Sequence, residues 1–198
     1  KTIEYYQRAI ELGNTTAICL LGACYQMGIG VEKNNSKALE YYKQSADLGN
    51  KDAEIFIDLQ SENKDYSKFF KLLEEHSDSK DPEIIYMLAN SYENGIGSEV
   101  NLPKALENYY KAAELGSSES INRLGVLFEN GKGVDKNLIK AFEYYQQGAD
   151  LGNSYSVFNL ARCYAEGKGV DKDLTKAFEY FRRAAEFGNA TSYYSLGC

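Results

Sequence analysis

Glycine returns along this chain at a fixed interval, and that interval constrains the fold more than any other feature. Gly13, Gly49, Gly116, Gly152 and Gly188 each follow a Leu or Phe at the end of a mixed polar and apolar run. Their separations are 36, 67, 36 and 36 residues, the long one holding a full period and a short one of 31. A second ladder agrees: Gly30, Gly97, Gly133 and Gly169, each followed eight residues later by Ala38, Ala105, Ala141 and Ala177. A third consists of Tyr25, Tyr92, Phe128 and Tyr164, each three residues before a Gly. Self-similarity at this period means a stack of like units, each burying its faces against its neighbours, and a helical solenoid in particular.

Each period reads as two helices. Ser154 to Glu166 places Val157, Leu160, Ala161 and Tyr164 at i, i+3, i+4 and i+7, one face of a helix. Gly167 and Gly169 end it, because the turn needs backbone angles that residues with a Cβ resist. Asp173 then offers a side-chain oxygen to free amides and starts the second helix, Leu174 to Phe187. Asn34, Asp65, Asn101 and Asn137 hold the same place, and Pro103 falls in a first turn, where a missing N–H costs little. Tyr5-Tyr6, Tyr41-Tyr42, Tyr109-Tyr110, Tyr144-Tyr145 and Tyr180-Phe181 recur on the second helices. Adjacent residues lie about 100° apart on a helix. One ring of each pair is therefore expected in the core and the other over a neighbouring helix. The two alanine series, Ala38, Ala105, Ala141, Ala177 and Ala46, Ala113, Ala149, Ala185, are small where helices must approach closely.

Composition narrows the chemistry. There are 22 basic and 29 acidic residues, a formal net charge of −7, which argues against nucleic acid as a partner. No apolar run approaches the roughly 18 residues of a membrane span, so no membrane partner is expected. A single histidine excludes sites that need two. That residue, His76, lies near the end of a helix with no nucleophile marked beside it. Gly131-Lys132-Gly133 and Gly167-Lys168-Gly169 lack phosphate-loop spacing and follow helices rather than strands, so they read as interhelix turns, with Lys132 exposed. Asp171-Lys172-Asp173 lacks the Gly and Glu of a calcium loop. No catalytic, cofactor-binding or metal-binding residue is assigned. Asn14-Thr15-Thr16, Asn34-Asn35-Ser36 and Asn189-Ala190-Thr191 are glycosylation sequons of the kind a chain rich in Asn carries by chance. Cys19, Cys24, Cys163 and Cys198 are expected to be buried free thiols, which weakly favours a reducing, cytoplasmic compartment.

Taken together, the pattern LGxxYxxGxGVxxxxxKAxxYYxxxAxxG resembles the Sel-1-like repeat, a relative of the tetratricopeptide repeat. Leu21-Gly22, Tyr25, Gly28, Gly30-Val31, Lys37-Ala38, Tyr41-Tyr42 and Gly49 carry it. So do Leu124-Gly125, Phe128, Gly131, Gly133-Val134, Lys140-Ala141 and Tyr144-Tyr145. The fold this implies is all-α: a right-handed superhelix of antiparallel helix pairs over residues 1–198, with about five repeats. The chain reads as a piece of a longer array, opening on a second helix and stopping inside a first helix. Apolar ends at Ile3, Tyr6 and Ile10, and at Tyr193, Leu196 and Gly197, are expected to be exposed and to allow weak end-to-end self-association. One unit departs from the pattern. Lys51 to Lys80 lacks the GxG turn, has Asp58 where the others have Gly or Ala, and has Phe69-Phe70 in place of Ala-Leu or Ala-Phe. Its shortening falls at Ser61 to Lys64.

The resemblance implies a non-catalytic scaffold that binds a peptide or protein partner in the concave groove lined by the first helices. Three positions there vary between repeats. Cys19 gives way to Tyr86, Asn122, Phe158 and Tyr194; Leu20 to Met87, Arg123, Asn159 and Ser195; Ala23 to Asn90, Val126, Arg162 and Cys198. Tyr and Arg carry interface energy, and Asn can bond a peptide backbone, though such residues can also pack against the next repeat. The alternatives are a cysteine-rich, secreted, β-lactamase-like member of the family, or the adaptor segment of a larger enzyme or degradation complex. The second helices contain no Cys, which counts against the first of these.

Overall fold

The computed structural model describes residues 2–59, 66–187 and 192. Among the described residues there are eleven α-helices and no strand. Two compact units hold them. The first, Lys1–Ser79, contains α1 (Thr2–Glu11), α2 (Thr15–Met27), α3 (Asn35–Asp47), α4 (Asp52–Leu59) and α5 (Tyr66–Glu75). The second, Lys80–Cys198, contains α6 (Pro82–Asn94), α7 (Leu102–Glu114), α8 (Ser118–Asn130), α9 (Leu138–Asp150), α10 (Ser154–Glu166) and α11 (Leu174–Glu186). Within each unit every helix packs on the next in the chain, giving the paired all-α repeat that the period requires.

The helix ends follow from the residues placed there. The amides of Lys37, Lys104, Lys140 and Lys176 donate to the side-chain oxygens of Asn34, Asn101, Asn137 and Asp173, 3.0–3.1 Å away. These are the four expected caps inside the described residues; Asp65 and the shortened loop from Ser61 to Lys64 lie outside them. The turn glycine Gly169 has a φ of 71°, and a Cβ there would run into the Leu138 carbonyl. Leu138 opens the second helix of the preceding repeat. The glycine turn of one repeat therefore seats on the repeat before it, and only a residue without a side chain fits.

On α3, α7 and α9 the core position of the second helix holds a fully buried ring: Tyr42, Tyr109 and Tyr145. The first ring of three pairs stacks on the first helix of its own repeat. Tyr41 lies 5.5 Å from Tyr25, Tyr144 5.6 Å from Phe128, and Tyr180 5.6 Å from Tyr164, between ring centroids. In Tyr109-Tyr110 the core ring is Tyr109, the first of its pair, so the stacking place falls to Asn108, and the partly exposed Tyr110 shares a hydrogen bond with Tyr144 of the following second helix. Adjacency of two tyrosines concealed a one-residue shift that the buried ring reveals. The facing first helix must be small where the core ring crosses it. A Cβ on Gly125 would stand 2.6 Å from Cε1 of Tyr145.

The short unit solves the same contact differently. Leu73 replaces the core Tyr and is fully buried, and Phe69 and Phe70 are buried beside it. On the facing first helix Asp58 stands where the other repeats have Gly or Ala. The Asp58 Oδ2 is buried without a hydrogen-bond partner among the described residues. His76 follows α5, with its Nδ1 2.8 Å from the Leu72 carbonyl. Cys24 and Cys163 are buried free thiols as expected, and Cys19 is buried too; Cys198 lies outside the described residues. The chain's opening helix corrects a second expectation. Ile3, Tyr6 and Ile10 are half-buried rather than exposed, because α1 packs on α2 and Ile3 reaches the Gly30 turn. Tyr193, Leu196 and Gly197 lie outside the described residues.

Candidate functional site

The candidate face belongs to the first helices of the second unit, α6, α8 and α10. Every described candidate on it is half-buried: Tyr86, Met87, Asn90, Asn122, Arg123, Val126, Phe158, Asn159 and Arg162. Tyr194 lies outside the described residues. The aromatic members turn inward on one side. Tyr86 meets the ring of Tyr109 at 5.9 Å and Phe158 that of Phe181 at 5.6 Å, between centroids. The polar members link successive repeats. Ser156 Oγ and Asn159 Nδ2 both donate to Asn122 Oδ1, at 3.2 and 3.0 Å. Arg162 donates to Asn159 Oδ1 at 3.3 Å. A row of carboxamides and one guanidinium thus crosses from α8 to α10 while remaining half open to solvent.

Below this row lies a charged cluster. Glu93, at the end of α6, is only 1% exposed. Arg123 donates to both its oxygens, Nε at 2.6 Å and Nη2 at 2.5 Å. Lys132 Nζ donates at 2.7 Å and the Tyr109 hydroxyl at 2.8 Å. The motif recurs one repeat on. Glu129 accepts from Arg162 at 3.1 Å, Lys168 at 3.0 Å and the Tyr145 hydroxyl at 2.7 Å. In each case the carboxylate sits at the end of a first helix, and both cations come from the following repeat.

Burial would raise the Glu93 carboxyl, but hydrogen bonds from Arg123, Lys132 and Tyr109 outweigh it and hold the group at about 2. Glu129 is lowered in the same way. The phenols of Tyr109 and Tyr145 are raised by burial and by the carboxylates they serve. Burial also pushes the Cys163 thiol up to about 12, so it is a protonated core residue at neutral pH. The cluster therefore contains acceptors and donors already matched to one another, and its first effect is to fasten repeat to repeat.

Sequence reasoning left Arg123 and Arg162 free to meet a partner. The structure gives each a carboxylate in the repeat before it. Lys132 was expected to be exposed, and its side chain is 43% exposed, yet its ammonium is engaged by Glu93. The carboxylates themselves were missed. A signal was available: Glu93 and Glu129 precede repeats whose turn reads Gly-Lys-Gly, whereas Gln26 at the equivalent place precedes the unit that has no such turn. Among the described residues no three His, Cys, Asp or Glu gather as a ligand set, and no described helix is long and apolar enough to cross a membrane.

The helix pairs, their glycine turns and their buried tyrosines can be set beside known proteins. The family model described as the Sel1 repeat matches residues 1–14, 15–50, 82–117, 118–153 and 154–189. The chain belongs to the Sel1 repeat family. The match passes over residues 51–81, the short unit with Asp58 and Leu73. Among solved structures, a Sel1 repeat protein from Oxalobacter formigenes shares 29% identity with a TM-score of 0.76, over 92% of this chain and 75% of that one. The protein c5321, described as a protective antigen of uropathogenic Escherichia coli with this fold, shares 29% identity with a TM-score of 0.71. That alignment covers 98% of the present Sel1 repeat chain and 43% of c5321, so the chain spans less than half of that relative. The Helicobacter pylori cysteine rich protein B shares 27% identity with a TM-score of 0.54, over 69% of this chain and 98% of that one. No curated protein sequence matches the chain. The Sel1 repeat is in general a scaffold for protein–protein interaction, and the present chain has that fold throughout its matched repeats.

Proposed function

We propose that this Sel1 repeat chain is a non-catalytic scaffold that holds a peptide segment of a protein partner against the first helices α6, α8 and α10. The observation that supports this reading is the half-open row of Asn122, Asn159 and Arg162, tied together across two repeats. A carboxamide presents a donor and an acceptor in one plane, which matches an extended peptide backbone. The neighbouring Tyr86, Met87, Asn90, Val126 and Phe158 supply apolar and polar contact on a frame that the carboxylate clasps keep rigid, and a rigid frame lowers the ordering cost of binding. Glu93 and Glu129 belong to the frame rather than to the recognition surface.

The experiment is to select binders from a random peptide library and map them on the protein by amide chemical-shift perturbation. Shifts centred on α6, α8 and α10, together with loss of binding in Asn90→Arg and Asn159→Ala, are the expected outcome. Shifts that avoid these three helices would overturn the assignment.

A further inference from the structure

Every second helix of this chain ends on a carboxylate. Glu11, Asp47, Glu75, Glu114, Asp150 and Glu186 are the last residues of α1, α3, α5, α7, α9 and α11, and all are exposed. A helix C-terminus carries partial negative charge and favours cations, so an acid there is the wrong choice for stability. The residue after the acid is Leu12, Leu48, Leu115, Leu151 or Phe187, with His76 in the short unit. The three in the second unit, Leu115, Leu151 and Phe187, are 38%, 57% and 46% exposed. An exposed apolar side chain beside a misplaced acid, repeated at the same register, is a surface that folding alone does not require.

The geometry of that surface is fixed. Leu115, Leu151 and Phe187 each cap their helix, with the backbone N–H bonded to Lys111, Gln147 and Arg183 carbonyls at 3.1–3.2 Å. Neighbouring edges of the second unit are tied together. Arg183 Nη2 donates to the Ala149 carbonyl at 3.1 Å, and its guanidinium lies 5.4 Å from the Phe187 ring centroid. Asn153 Nδ2 donates to Ser118 Oγ at 3.3 Å, joining the turn after Leu151 to the turn after Leu115. Tyr155, also exposed, lies in the first turn of α10, just after this edge. The polar neighbours leave the acids facing outward: Asp150 accepts from Gln146 at 3.1 Å, and Glu186 lies 3.9 Å from Arg182.

We propose that the C-terminal ends of α7, α9 and α11 form a second docking surface, separate from the first-helix face, for a basic amphipathic peptide segment of a protein partner. Its apolar side chains cover Leu115, Leu151 and Phe187, and its Lys or Arg residues meet Glu114, Asp150 and Glu186. Charge selects this occupant. An anionic membrane or nucleic acid is repelled by the acids and by the chain's net charge of −7. A neutral apolar segment would desolvate three carboxylates without compensating them. A basic amphipathic segment satisfies both rows at once.

The test is a fluorescence-anisotropy titration of the protein with a labelled peptide of interspersed Leu and Lys, against a Ser and Lys peptide of equal charge. The acid variant is Glu114→Gln, Asp150→Asn, Glu186→Gln. The control removes three exposed glutamates from the middle of the same helices: Glu107→Gln, Glu143→Gln, Glu179→Gln. The Leu and Lys peptide is expected to bind at least tenfold more weakly to the acid variant and within twofold of the parent on the control. The Ser and Lys peptide is expected to bind weakly to all three. The acid variant's melting temperature is expected to stay level or rise, since each change relieves a helix end, so loss of binding cannot be loss of fold. Equal weakening in both variants would mean attraction by net charge alone and would overturn the proposal. So would absence of binding by the parent, or no loss on Leu151→Ser with Phe187→Ser.

Discussion

Lys132 Nζ lies 2.7 Å from Glu93 Oε1, although 39 residues of chain separate them. Lys168 and Glu129 repeat the relationship at 3.0 Å over the same separation. That separation exceeds the 36-residue period, so each bond leaves one repeat and closes on the next. A solenoid unit has only its neighbours to bury against, and here an ion cluster is added to that contact.

The two cations on Glu93 should differ in weight. Arg123 makes two of the bonds and Lys132, 43% exposed, makes one that solvent can replace. Arg123→Ala is expected to cost about 3 kcal/mol, as breaking a buried pair does. Lys132→Ala should cost about 1 kcal/mol or less. Urea unfolding of both variants measures this, and equal small losses would show that Glu93 is effectively solvated.

The same cluster gives a pH dependence. The Glu93 carboxyl stands at about 2 in the folded chain against an ordinary value of 4.5. A depressed carboxyl contributes stability above its unfolded value and loses it as pH falls toward the folded one. The loss should therefore fall between pH 4.5 and about 2, with Glu129 acting in the same direction. Thermal unfolding at a series of acidic pH values should slope less steeply in Glu93→Gln than in the parent. Parallel curves would refute the linkage.

Two glycines with the same backbone conformation should respond differently. Gly152 has a φ of 80° and open space where a Cβ would go, so Gly152→Ala should cost about 1–2 kcal/mol for the left-handed backbone alone. Gly169→Ala meets that cost and also strikes the Leu138 carbonyl, adding about 1–3 kcal/mol of overpacking. Calorimetry on the pair decides it. Equal costs would mean that the turn is not seated on the preceding helix.

Asp58 should be replaceable at a gain. Its Oδ2 is buried without a partner among the described residues, at a place where other repeats have Gly22, Ala89, Gly125 or Ala161. Asp58→Ala is expected to stabilise the first unit by about 1–2 kcal/mol, by removing an unmatched polar group and improving helix propensity. Slower hydrogen exchange in α4 and α5 would register it, and faster exchange there would contradict it.

The sequence made the frame legible because the frame is built from local rules. A cap at Asn101 and a left-handed Gly95 act within a few residues, and repetition made each visible several times over. The ring at Tyr109 was harder, because two adjacent tyrosines satisfy a local pattern equally well and only packing against α6 separates them. The carboxylates were missed for a related reason. Glu93 reads alone as one more surface acid at a helix end, and its burial follows only from where the next repeat brings Arg123 and Lys132. The face positions were found but their partners were not, since Asn122 and Asn159 meet only through the stacking of two helices.

The clasp gives the second unit a grammar of assembly. Residues 118–153 carry both halves, receiving Glu93 on Arg123 and Lys132 while offering Glu129 forward. The repeat before them only offers, with Ile96 in the turn where the lysine would be, and the repeat after them only receives, with Ala165 in place of the acid. Start, extension and stop are thus written into single residues. Gene duplication of the middle repeat would yield copies that fit one another at once, and its deletion would bring Glu93 to Lys168 and Arg162 with the clasp intact. The ion clasp, unlike the Asn122–Asn159 contact, would thus survive a change of copy number in this array.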